Sequence, residues 1–172
     1  QLFLLNSADC GVPQKRERVF FVAVRNDIDV PPLKLAPTHR WISAGEATSD
    51  LQVLTADEVA DTAPGNLHNK WWGKTHPGER FEQAKERAKE KVGLFNWPKL
   101  HEQRPAPTIT STSDGMMTHW AVCRTMTYRE YKRLGSFPDD YHAKTDKIGK
   151  YMIGMSVPPK MTEQVARAVC EQ

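Results

Sequence analysis

Two short apolar runs frame the start of the chain, Leu2–Leu5 and Val19–Val24. Runs of this length, rich in β-branched and aromatic side chains, read as buried strands. Asp9-Cys10-Gly11-Val12-Pro13 lies between them and holds both Gly and Pro, which predicts a turn and so a hairpin. Gln14-Lys15-Arg16-Glu17-Arg18 falls where that turn becomes the second strand. A strand's period of two puts Arg16 and Arg18 on the same face. Buried arginines need partners, because an unpaired buried charge is costly. Two uses fit the pattern. One is a structural salt bridge, to Glu17 or to a carboxylate elsewhere. The other is a fork of donors aimed at an anion or a base edge.

Beyond Arg25 the pattern is broken by Pro31, Pro32 and Pro37. A short helical turn is predicted within Trp41–Ala47. Thr55 and Glu58 have capping-box spacing and predict a helix over 56–61. Residues 62–78 read as loop, with Trp71-Trp72 serving either a satellite core or a base-stacking platform. Phe81, Ala84, Ala88, Val92 and Phe95 recur at helical steps and predict a helix over 79–92 capped by Gly93. Glu82–Lys85 and Glu86–Lys89 are spaced to pair along it, and such a mixed charge run reads as a solvated face. Thr108-Ile109-Thr110 alternates like a strand and runs into a turn rich in Ser and Thr. Those hydroxyls serve either their own backbone or a phosphate or base edge. Thr127 and Glu130 form a second capping box. Tyr131 and Leu134 follow as an apolar face, Gly135 closes the helix and Pro138 cannot continue it. Its polar face carries Arg129, Lys132 and Arg133. Tyr151–Pro159 reads as a strand and turn before a helix over 160–171, with Met161, Val165, Ala168 and Val169 on its buried face.

Composition narrows the class. A chain of 172 residues predicts one domain or two small ones, and an apolar fraction of 39% is low for a self-sufficient core. No apolar run approaches the roughly eighteen residues of a membrane span, and no basic-then-apolar leader is present. Cys10, Cys123 and Cys170 are odd in number and widely spaced, so neither a disulfide framework nor a metal site is expected. A reducing, cytoplasmic setting fits. The net charge of +3 permits a nucleic-acid partner without demanding one. The chain opens inside a strand pattern without Met, which suggests a cut or cloned piece, or a sequence with something upstream.

Gly11-Val12-Pro13-Gln14-Lys15-Arg16-Glu17-Arg18-Val19 resembles the Gln-x-Arg-x-Arg motif of the carbon-5 cytosine methyltransferases. Lys15 stands where Arg is common in that family, and Cys10 where an aromatic is common. Arg124-Thr125-Met126-Thr127-Tyr128-Arg129-Glu130, followed by Arg133-Leu134 and Phe137-Pro138-Asp139, resembles the family's ninth motif, with Met126 for Leu and Ser136 before the Phe. Gly154-Met155-Ser156-Val157-Pro158-Pro159 resembles the tenth, Gly-Asn-x-Val-Pro-Pro, with Met155 in place of Asn. Three motifs in family order, at the two ends of the chain, make the resemblance specific.

The resemblance implies an α/β chain, α+β overall: an incomplete Rossmann-like methyltransferase layer with an irregular, mixed target-recognition lobe. It implies a division into a hairpin of the catalytic domain at 1–25, a target-recognition region at 26–123, a supporting ninth-motif helix at 124–139 and a return to the catalytic domain at 140–172. It assigns accessory catalytic roles to Arg16, Arg18 and Gln14. Arg18 would hold the flipped cytosine, Arg16 would sit beside it, and Gln14 would stabilise the turn or touch the DNA. Gly154, Met155, Ser156 and Val157 would line part of an S-adenosylmethionine pocket. Thr110, Thr112, Ser113 and Lys15 would contact double-stranded DNA. Arg129 and Glu130 would be structural.

The family's nucleophile is a Cys directly after Pro, and here Cys10 follows Asp9, Cys123 follows Val122 and Cys170 follows Val169. No Phe-x-Gly-x-Gly or Glu-Asn-Val segment is present either. The expectation is therefore the C-terminal portion or subunit of a DNA cytosine-5 methyltransferase, inactive alone. Its partners would be DNA and a missing N-terminal catalytic part, with self-association through uncovered apolar surface. Two alternatives are a non-catalytic DNA-binding specificity module and part of a tRNA cytosine-5 methyltransferase.

Overall fold

A computed structural model describes residues 1–93, 97–112 and 116–172. Strand β1 (Leu2–Asn6) pairs antiparallel with β2 (Glu17–Phe21), with Leu4 opposite Val19 and Leu5 opposite Arg18. The predicted hairpin is present, but only one of its faces is buried. Leu5 packs with Cys10, Val12 and Met161, and Phe3, Phe20, Leu35 and Val165 border them. Leu2, Leu4, Val19 and Phe21 are 61%, 62%, 47% and 80% exposed. Period-two geometry explains the difference: an apolar run marks a strand, but one covering layer shields only alternate residues.

The helices are α1 (Ala44–Ala47), α2 (Ala56–Asp61), α3 (Asn66–Trp71), α4 (Phe81–Arg87), α5 (Tyr128–Leu134), α6 (Asp146–Met155) and α7 (Pro159–Cys170). The two predicted capping boxes start α2 and α5. Four expectations are corrected. Residues 62–78 contain α3 and a 3-10 turn at Trp72–Lys74 rather than loop alone. The helix predicted over 79–92 stops at Arg87, because Lys89 takes a left-handed φ of 55° and ends it before Gly93. Phe95 lies outside the described residues. Arg87 pairs with Glu79 and Lys70 with Glu90 across this region. Residues 108–110 form no strand. Finally, Tyr151–Met155 is the end of helix α6, with Gly149, Lys150, Ile153 and Gly154 buried, and not a strand. A four-residue spacing of buried positions had been obscured by the two glycines.

The main core gathers Leu100, Ile109, Met117, Met126, Tyr131 and Ile153 between α5, α6 and the segments 98–112 and 116–126. Gly135 sits against it with an ordinary right-handed φ of −84°, and Ser136 carries the left-handed φ of 59° that ends α5. A Cβ at Gly135 would stand 2.9 Å from the Ile153 side chain, so close approach is what requires glycine there. Trp71 is fully buried in a third cluster with Phe81 and Ala84, and the Trp72 indole donates to the His119 carbonyl at 2.8 Å. The paired tryptophans thus serve a satellite core. On α7, Met161 is buried and Val165 packs against the hairpin, while Val169 is 45% exposed.

Candidate nucleic-acid and cofactor site

The hairpin turn is built as a rigid presenter. Asn6 caps a 3-10 turn at Ser7–Cys10, its side chain accepting from the Ala8 N–H at 3.0 Å. The Ser7 N–H donates to the Arg16 carbonyl at 2.8 Å, and the Ser7 hydroxyl to the Gln14 carbonyl at 2.5 Å. With both backbone arms fixed, side chains alternate strictly. Gln14 and Arg16 point inward, Lys15 and Glu17 outward, and Arg18 is half-buried on the inner side.

The inner pair sews the hairpin to segment 106–109. The Ala106 N–H donates to the Pro13 carbonyl at 2.9 Å, and the Lys15 N–H to the Ala106 carbonyl at 2.8 Å. Pro107 has no N–H to extend this parallel ladder, and side chains complete it. The Thr108 hydroxyl donates to the Lys15 carbonyl at 2.8 Å, and the Ile109 N–H donates to Gln14 Oε1 at 2.9 Å. This use of side chains is why 108–110 alternates like a strand without becoming one.

Arg16 closes the arrangement. It is 3% exposed. Its Nη1 donates to the Ile109 carbonyl and its Nη2 to the Gly154 carbonyl at 2.9 Å. Its Nε has no partner among the described residues. Burial, and next the nearby Arg18 charge, lower its pKa from the ordinary arginine value. Gly154 in turn presses on the chain it faces: a Cβ there would lie 2.2 Å from the Thr110 carbonyl oxygen. One buried guanidinium therefore ties together the opening hairpin, the 109–110 segment and the last turn of α6, immediately ahead of the Val157-Pro158-Pro159 bend.

The other sequence-predicted residues fall around this hub. The Arg18 guanidinium donates to the Glu17 carbonyl at 2.7 Å, and no carboxylate pairs with either arginine among the described residues. Lys15 is exposed, its ammonium 4.5 Å from the centroid of the Trp41 ring. The Thr110 and Thr112 hydroxyls are 3.2 Å apart on an exposed turn. Ser113 lies outside the described residues. Met155 and Val157 are exposed, while the Ser156 hydroxyl turns back to the Met152 carbonyl at 2.6 Å. Sequence reasoning missed Ile109 as a member of the hub, and it singled out Gly154 for the cofactor pocket without its bond to Arg16. The Pro-x-Pro at 105–107 and the glycine next to Met155 were the available signals.

Around α5 a network of ion pairs holds the middle of the chain to this end. Glu130, buried, accepts from Arg124 at 2.7 and 2.8 Å and from the Thr127 N–H at 2.7 Å. Arg129 forks onto Glu58 of α2 at 2.6 and 2.7 Å, holding that carboxyl below its usual range. Arg133 reaches both Asp139 and Asp50. Beside this network His119 is buried, and its Nδ1 accepts from the Ala121 and Val122 N–H groups at 3.0 and 3.3 Å. Burial, and then the Arg124 charge, bring its pKa down to about 4. The Cys10 thiol is pushed up to about 11 by burial and the Asp9 charge, which leaves it a packing residue rather than a thiolate. No group of three or more His, Cys, Asp or Glu among the described residues is placed to hold a metal ion.

The profile of the C-5 cytosine-specific DNA methylases matches residues 1–171. The chain belongs to that family. It is 30% identical over 92% of its length to the type II methyltransferase M.BbvI of Brevibacillus brevis, covering 45% of that protein. It is 27% identical over 98% of its length to M.DdeI of Desulfomicrobium norvegicum, covering 53% of that one. The chain thus spans about half the length of the curated relatives it matches. Its fold overlies 59% of a crystal structure described as a DNA modification methyltransferase of an Escherichia coli prophage, with a TM-score of 0.71 at 16% identity and 99% of this chain covered. As a C-5 cytosine-specific DNA methylase sequence, the chain is of mixed α/β fold, and the methyltransferase motifs at its two ends meet at Arg16 and Gly154. Among the described residues, no helix is long and apolar enough to cross a membrane.

Proposed function

We propose that this chain is the C-terminal portion of a DNA cytosine-5 methyltransferase, supplying target recognition and accessory active-site groups. The attacking thiol comes from a segment outside these residues. One observation supports this reading above the others: Arg16 of the Gln-x-Arg-x-Arg motif bonds the Gly154 carbonyl beside the tenth-motif bend. The convergence is what a shared base-and-cofactor cleft requires of two motifs lying 138 positions apart.

Roles divide by burial. Arg16 and Gln14 are both buried, with the two terminal nitrogens of Arg16 and Oε1 of Gln14 spent on backbone groups, and are positioning residues rather than groups that touch a substrate. Arg18, half-buried with one carbonyl partner, keeps donors for the extruded cytosine. Flipping is needed because carbon-5 is out of reach within the stack. Lys15, Thr110 and Thr112 contact the duplex beside it, with Ser113. Arg129 fastens the ninth-motif helix to Glu58 of the recognition lobe, 26–123, Glu130 holds Arg124 and the start of that helix, and the catalytic layer at 1–25 and 140–172 is an incomplete Rossmann-like sheet.

S-adenosylmethionine, when bound, supplies the methyl group. The tenth-motif bend fits it in part. Met155 and Val157 present exposed apolar atoms, but the Ser156 hydroxyl is committed to Met152, so this bend offers an edge and few polar contacts. Replacing Met155 with Asn restores the family residue and is expected to tighten cofactor binding modestly, as read by calorimetry; unchanged binding would remove the residue from the pocket.

The test is complementation. Mixing this chain with the segment that carries Pro-Cys is expected to yield DNA methylation that neither piece gives alone. No transfer from the mixture, with both pieces folded, would overturn the reading.

A further inference from the structure

Of the five tryptophans, four are absorbed by apolar cores: Trp71, Trp72 and Trp97 in one cluster and Trp120 in another. Among the described residues Trp41 joins none of these clusters, and it is 48% exposed. It is nonetheless held firmly. Its indole N–H donates to Asp9 Oδ1 at 2.8 Å, and the neighbouring His39 N–H donates to the Asp9 carbonyl at 2.9 Å. The Lys15 ammonium stands 4.5 Å from the ring centroid. Lys15 is itself fixed on both sides of its backbone, by Ala106 and by the Thr108 hydroxyl. A large ring immobilised at the surface gains little from burial, so packing does not explain the arrangement.

Its location does. Lys15 lies in sequence between Gln14 and Arg16, the two buried side chains that position the base-binding hairpin, but points outward, so its ammonium and the Trp41 ring share the exposed rim of that turn. A cation over a rigid, half-open aromatic ring suits a nucleic-acid strand, with phosphate on the ammonium and a base or sugar against the ring. We propose that Trp41 and Lys15 together form a contact platform for the DNA strand flanking the extruded cytosine. This rests on the functional reading above and extends it to a residue outside the family motifs. Lys15 supplies charge and Trp41 supplies stacking, and Asp9 orients the indole.

The experiment uses the complete enzyme, carrying the Pro-Cys segment, on a duplex oligonucleotide that the wild type methylates. Binding is measured against salt concentration for the wild type, Lys15→Gln, Trp41→Ala and Trp41→Phe, with melting temperature recorded for each. Lys15→Gln is expected to lower the salt slope of log K by about 1. Trp41→Ala is expected to weaken binding about tenfold, and Trp41→Phe, which keeps a ring, to recover most of it. A purely structural pair would instead lower the melting temperature of Trp41→Ala while leaving the salt slope of Lys15→Gln and the affinity of both variants at wild-type values, and that result overturns the platform. Failure of the wild-type enzyme to bind or methylate any duplex would instead remove the functional reading beneath it.

Discussion

Replacing Gly154 with Ala tests the hub at the point where the structure leaves least room. The new Cβ would lie 2.2 Å from the Thr110 oxygen, 2.4 Å from the Thr110 carbonyl carbon and 2.6 Å from the Ser111 nitrogen. All three are backbone atoms, so no rotamer change relieves the clash. Comfortable contact needs about 3.5 Å, so α6 and the 110–111 segment must part by about an ångström. Overpacking of this kind costs about 1–3 kcal/mol. The same movement draws the Gly154 carbonyl from Arg16, and a hydrogen bond to a charged group contributes about 1.5–3 kcal/mol. Ala is the better helix former by about 1 kcal/mol, which offsets part of the loss. The expected net is about 3 kcal/mol of destabilisation, read by urea unfolding. Gly93→Ala is the control, since a Cβ there meets nothing within 4 Å. If Gly154→Ala unfolds at the same urea concentration as Gly93→Ala, the contact between the tenth motif and the 110–111 segment is not what holds the two ends of the chain together.

Three further outcomes are expected. Arg16→Lys leaves one of two buried carbonyls without a donor, because a single ammonium does not span the fork, and is expected to cost about 2 kcal/mol in the same unfolding assay; wild-type stability would contradict the fork. Glu130→Ala strands Arg124, whose side chain is 12% exposed, and is expected to cost about 3–5 kcal/mol, with thermal melting as the check. His119 has a folded pKa of about 4, below its ordinary 6.5, so the unfolded chain binds the extra proton between those values. Its contribution is complete above pH 6.5 and is lost as pH falls toward 4, by about 3 kcal/mol in all. Urea midpoints at pH 7.5 and pH 5 should differ for the wild type and differ less for His119→Asn, whose amide oxygen accepts the same N–H groups; identical pH dependence would exclude His119 as the cause.

Local chemistry was legible wherever it was self-contained. The capping boxes at Thr55 and Thr127 started helices α2 and α5, because a cap involves residues only three apart. The hairpin and the inward turn of Arg16 and Arg18 followed from a period of two. What the sequence hid was set by distant partners. The hydrogen bond from Arg16 to Gly154 spans 138 positions, and no local pattern announces it. Lys89 ended α4 four residues before the glycine that looked like its cap. The exposed face of Leu2, Leu4, Val19 and Phe21 was concealed for a related reason: composition marks a residue as fit for burial but not which face a layer covers. The motif resemblance carried the rest of the site, since Arg18 and Val157 show no periodicity that separates them from ordinary strand and turn residues.

The most direct measurement is transfer of labelled methyl groups from S-adenosylmethionine to duplex DNA by the completed enzyme, wild type against Arg18→Ala. Melting temperature is followed in parallel. Removing a donor aimed at the reacting base is expected to lower the rate by about a hundredfold or more with the melting temperature unchanged. The chain alone should transfer nothing. An Arg18→Ala enzyme that methylates at the wild-type rate, or transfer by the isolated chain, would contradict the account.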